Sequence, residues 1–159
     1  MGGVVLWGTA SWTLSQCERN ILKSTQSKMA RKVLACGRRP DEEYISWIRR
    51  ATKNAKIALL LAGVKAWAQR HYMSKWLWCG HVARMPPDRW AKKLSLHTSI
   101  FADDPAWHRP VQARAGTQRR WENDVQIFLT STGHGNWVEA AADRNAWNAG
   151  AEAFVSFFR

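Results

Sequence analysis

Cysteine is scarce: Cys17, Cys36 and Cys79 are the only three in 159 residues, and none forms a C-x-x-C pair. An odd, widely spaced set excludes a disulfide framework and the common zinc modules. It points to a reducing compartment. The five histidines are scattered, and only Cys79 and His81 lie close together. No second ligand pair has metal spacing, so no metal site is expected, and no cofactor. A phosphate-cradling Gly-rich loop is missing too. So is any apolar run near the ~18 residues of a membrane span, which speaks against a membrane partner. Met1 to Trp7 is apolar but short and lacks a basic start. It reads as a short strand over residues 3–7, not as a signal peptide.

Acidic residues are the other shortage: 12 Asp and Glu stand against 24 Lys and Arg, for a net charge of +12. The imbalance is local. Residues 1–100 carry 18 basic and 5 acidic side chains, and residues 101–159 carry 6 and 7. A positive field of that size favours polyanions, with nucleic acid ahead of an acidic protein or a merely solvated surface.

The hydrophobic pattern is helical almost throughout. From about Ser15 to Ala35, Leu22, Met29, Val33 and Cys36 fall on one stripe flanked by basic residues, and Gly37 is the expected stop. Asp41 is the expected cap of the next helix. Tyr44, Trp47, Ile48, Ala51, Ala55, Ala58 and Ala62 line one face of that helix, with Arg49, Lys53 and Lys56 elsewhere and Arg50 beside them. Gly63 interrupts it. An aromatic, basic stretch runs from Val64 to Met85 and ends at Pro86-Pro87. A short helix capped by Asp88 reaches Leu96. Residues 97–117 read as a linker, 118–129 as a helix, and Asn136 as the cap of a final one. The expected fold class is mainly α: an irregular basic helical bundle with at most one short N-terminal strand.

Against these shortages stand eleven tryptophans, several inside short Gly, His and Arg motifs. Trp47, Trp67, Trp76, Trp121 and Trp147 lie on apolar stripes and read as core. Phe101-Ala102-Asp103-Asp104 looks like a metal-binding carboxylate box. Pro105 follows at once, however, and no strand–turn–strand context surrounds it, so it reads as a loop coincidence. Basic pairs recur beside aromatics, where cations can hold phosphates and exposed rings can stack bases.

Five motifs come in a familiar order. They are Leu6, Gly8, Trp12 and Leu14; the basic, apolar Met29 to Leu34; Trp78-Cys79-Gly80-His81-Val82-Ala83-Arg84-Met85 with Asp88-Arg89-Trp90; Gly116, Arg120, Trp121 and Asp124; and Trp137, Ala141, Asp143, Arg144 and Trp147. This series resembles the region just after the catalytic palm in reverse transcriptases of non-LTR (LINE-type) retrotransposons. The resemblance covers almost the whole chain. Trp7 replaces a Tyr, and the basic Gly turn is about one residue short.

The resemblance implies an arrangement. Residues 1–14 would be a remnant of the palm edge, 15–96 a basic thumb-like helical segment, 97–117 a linker and 118–159 a C-terminal helical pair. The polymerase carboxylates of that family lie upstream of the first motif, so no catalytic residue is expected and the chain alone should not polymerise. The expected partners are RNA or an RNA–DNA duplex, together with the rest of a palm. The expected phosphate contacts are Arg31, Lys32, Arg38, Arg39, Arg49, Arg50, Lys53 and Lys56, then Arg119 and Arg120. The expected location is intracellular, and nuclear in a working element. A stand-alone helical nucleic-acid-binding protein and a decayed, non-functional fragment are the alternatives.

Overall fold

Ser15 opens the first long helix with a reciprocal cap. Its Oγ accepts the Glu18 N–H at 3.2 Å, while Glu18 Oε2 accepts the Ser15 N–H at 2.7 Å. The computed structural model describes residues 8–100 and 121–158. A 3-10 turn at Thr9–Ser11 is followed by α1 (Gln16–Val33), α2 (Tyr44–Leu61), α3 (Trp67–Arg84) and α4 (Trp90–Ile100). After the undescribed stretch come α5 (Asn123–Ser131), α6 (Trp137–Ala140), α7 (Arg144–Ala149) and α8 (Ala151–Phe157). The fold is mainly α, with no strand among the described residues. The strand expected at residues 3–7 lies outside them, as does 101–117 of the expected linker.

Contacts divide the chain into two units. Of the described residues, one takes 14–71 and the other 8–13, 72–100 and 121–158, so a division falls inside α3 between His71 and Tyr72. In the first unit α1 packs on α2. The faces they bury are small: Ala30 on α1, Ala51 and Ala55 on α2. Small side chains let two helices approach closely. Gln26 is also buried on α1, and its polar ends are used. Its Oε1 accepts the Trp67 N–H at 3.0 Å and its Nε2 donates to the Lys65 carbonyl at 3.4 Å. Trp67 begins α3, so Gln26 satisfies a backbone donor that a helix start leaves open.

Several expected details shift. Val33, placed on the buried stripe by periodicity, is 78% exposed. The stop after α1 is not Gly37 but Ala35, which takes a left-handed φ of 46°. The Ala35 N–H bonds to the Lys32 carbonyl at 3.2 Å and the Cys36 N–H to the Arg31 carbonyl at 3.3 Å, closing the helix end in a Schellman motif. Gly63 and Gly133, at φ 63° and 78°, close α2 and α5 the same way. Asp41 lies in a turn, and Glu43 precedes α2 without a side-chain cap bond. The fourth helix passes Leu96 and ends at Ile100.

The second unit holds the contiguous hydrophobic core. Tyr72, Trp76, Cys79 and Val82 of α3 join Val125, Phe128 and Leu129 of α5 and Trp137, Trp147 and Phe154 of the later helices. Where two C-terminal helices are expected, the described residues form four. Asn136 caps α6 as expected, but Asp143 then accepts the Asn145 and Ala146 N–H groups and starts a new helix.

Candidate functional site

Between α1 and the turn into α2 lies an open groove of about 460 Å³. One wall is cationic. Lys28, Arg31 and Lys32 are spaced i, i+3 and i+4, which puts them on one side of α1. The other wall is aromatic and apolar, built by Tyr44, Trp47 and Ile48 from the first turn of α2, with Cys36 at its edge. The Trp47 Nε1–H donates to the Cys36 carbonyl at 2.8 Å, which fixes the indole. Tyr44 sits against it with ring centroids 5.5 Å apart and is itself 60% exposed. Arg31 is half-buried and donates to Thr52 Oγ1 at 2.8 Å, so its guanidinium is tethered to α2.

Of the ten basic residues named from sequence, the eight within the described residues do not form one surface. Arg31 and Lys32 meet at the groove, joined by Lys28. Arg49, Lys53 and Lys56 form a separate exposed stripe on α2, on the face turned away from Ala51 and Ala55. Lys28, Lys32, Arg49, Lys53 and Lys56 make no ion pair among the described residues. Arg50 is different. It pairs with Glu42 at 2.6 Å and donates to the Gly37 carbonyl at 3.0 Å. Arg38 Nε donates to the Glu42 carbonyl, and the Arg39 N–H bonds to Glu42 Oε2. The side chains of Arg38 and Arg50 and the backbone of Arg39 therefore hold the α1–α2 turn around Glu42. The Arg50 hydrogen bond holds the Glu42 carboxyl down at about 2, below its ordinary 4.5. Arg119 and Arg120 lie outside the described residues, as do Asp103 and Asp104.

Lys28, Cys36 and the exposure of Tyr44 are not among the residues that the sequence marks for binding. The i, i+4 spacing of Lys28 and Lys32 was the available signal. Tyr44 was assigned to the buried face because period alone does not show where a helix neighbour stops.

In the second unit the motif residues pack on one another. The Trp76 and Trp147 indoles stack with centroids 3.9 Å apart and planes 9° from parallel. Each indole N–H donates to the other residue's carbonyl, at 2.7 and 3.0 Å. Gly80 faces this pair: an added Cβ would lie 2.6 Å from Trp147 Cδ1. Arg84 donates to the Ala141 carbonyl at 2.7 Å, and Trp121 meets Trp137 edge-on at 6.0 Å. Asp124 pairs with Lys75 at 2.6 Å, both buried. Burial lowers the Lys75 pKa and the Asp124 hydrogen bond opposes that shift; burial pushes the Cys79 thiol well up. Lys92 Nζ caps the end of α3 through the Ala83 and Met85 carbonyls, at 2.8 and 2.9 Å. Trp12, of the first motif, is 52% exposed.

Among the described residues no group of three or more His, Cys, Asp or Glu could hold a metal ion, and no helix is long and apolar enough to cross a membrane. No protein-family model, curated protein or solved structure matches the chain.

Proposed function

We propose that the chain is a nucleic-acid-binding helical segment of the kind that follows the palm in non-LTR retrotransposon reverse transcriptases. It grips phosphates and has no polymerase activity alone. The observation that carries the binding is two clusters of exposed cations that make no ion pair among the described residues: Lys28 and Lys32 at the groove, Arg49, Lys53 and Lys56 on the α2 stripe. Cations held in ion pairs are compensated within the fold; these five are available to a polyanion. The retrotransposon origin is supported by the packing of the motif residues. Gly80 with Trp147, Arg84 with Ala141, and Trp121 with Trp137 join positions far apart in sequence that the resemblance names together.

The test is affinity for an RNA–DNA duplex across a salt series. Phosphate gripping predicts log K falling steeply and linearly with log salt. Replacing Arg49, Lys53 and Lys56 by Gln should flatten the slope by roughly 3, at ~0.9 per lost phosphate contact. A flat response in the parent chain would reject the proposal. Mg²⁺-dependent DNA synthesis by the purified chain would reject its non-catalytic part.

A further inference from the structure

We infer that the α1–α2 groove is a single-strand site: it takes an unpaired nucleotide, with the base on Tyr44 and the flanking phosphates at Lys28, Arg31 and Lys32. The inference rests on the proposed nucleic-acid reading and deepens it. Two features of one cavity carry it. The first is the pairing of a cationic wall with an aromatic wall across about 460 Å³, inside the ~300–1,000 Å³ range of small-ligand clefts. The second is the state of the rings. Trp47 is fixed by its hydrogen bond to the Cys36 carbonyl, and Tyr44 leans on it while remaining 60% exposed. A supported ring with an open face is a stacking platform.

A duplex leaves that platform unused. Its bases already stack on each other, and only phosphates and groove edges reach the protein. Unpaired bases present free faces, and proteins that hold single strands combine such rings with a basic track. The exposed Arg49, Lys53 and Lys56 stripe, whose segment 49–56 contains no aromatic residue, suits a duplex backbone instead. The two clusters on the first unit thus differ in what they can distinguish. Neither contact reads base identity, since every base has a π-face.

The experiment uses the full chain with labelled dT12, U12 and a blunt RNA–DNA duplex of the same length. Tyr44→Ala should weaken dT12 and U12 binding about tenfold, as loss of one stacked base does, and leave duplex binding and every salt slope unchanged. Tyr44→Phe should bind like the parent. A second readout sits at the groove edge: dT12 should slow iodoacetamide alkylation of Cys36, while exposed Cys17, near the start of α1, reacts at its usual rate. The blunt duplex should not protect Cys36. Equal single-strand affinity in Tyr44→Ala, or Cys36 protection by the duplex alone, would overturn the inference while steep salt dependence upheld the broader proposal. Salt-independent binding of all three probes would overturn both.

Discussion

A methyl group on Gly80 would meet the Trp147 indole, with Cδ1 at 2.6 Å and Nε1 nearer still. Glycine inside a helix costs roughly 1 kcal/mol relative to alanine. Here the missing side chain opens the α3 backbone, and the indole N–H reaches the Trp76 carbonyl at 3.0 Å. Gly80→Ala should therefore lose about 1–3 kcal/mol through overpacking rather than gain helix stability. Urea unfolding would read this as a lower midpoint, and an unchanged or higher midpoint would refute the packing account. Glu42 offers a second residue-level test. Its carboxyl titrates at about 2 in the folded chain against an ordinary 4.5. The folded form thus binds fewer protons than the unfolded form in that interval. Glu42's contribution to stability is complete above about 4.5 and is lost as pH falls through about 2. Following the Glu42 side-chain carbon by NMR should give that low value, and Arg50→Gln should return it toward 4.5.

Helix ends show what sequence can and cannot reveal about elements. Gly63 was legible as a break because glycine adopts a left-handed φ without penalty. Ala35 was not legible: it takes φ 46° although alanine disfavours it. Replacing Ala35 by Gly should stabilise the first unit by about 1 kcal/mol, measured as a raised denaturation midpoint with the α1 helix content unchanged. The first two long helices were legible from period, and the small face of Ala51 and Ala55 was read correctly. The exposure of Val33 and Tyr44 was not, because burial depends on where the partner helix ends. The same limit hid Lys75, whose partner Asp124 lies 49 residues away. The three short C-terminal helices were not legible as separate because the breaks, at the Asp143 cap and at Gly150, fall inside an otherwise continuous alanine-rich pattern.

Charge divides between the two units. Residues 14–71 hold 13 basic and 4 acidic side chains, while residues 72–159 hold 11 and 8. In the second unit Lys75, Arg84 and Lys92 are spent on internal carbonyls and a carboxylate. In the first, most cations face solvent. A basic excess in the first part of the chain was legible from composition, but its partition into a groove, a stripe and a turn was not. Arg50 and Lys53 look alike in sequence; only the position of Glu42 separates them. The tryptophans divide similarly. Trp76, Trp137 and Trp147 are core, Trp47 is a half-buried wall, and Trp90 is 76% exposed.

The Trp76–Trp147 stack also sets an order of assembly. Its partners stand 71 residues apart, so the pair closes a long loop whose entropy must be met before any contact compensates. The α1–α2 hairpin of the first unit closes through neighbours such as Arg31 and Thr52, 21 residues apart. On a ribosome, the first unit's helices can pair while the second unit still waits for Trp147. Until that residue emerges, the cover of Trp76 is incomplete, with only earlier partners such as Phe128 to pack on it, and the nascent chain carries this part of α3 as exposed apolar surface.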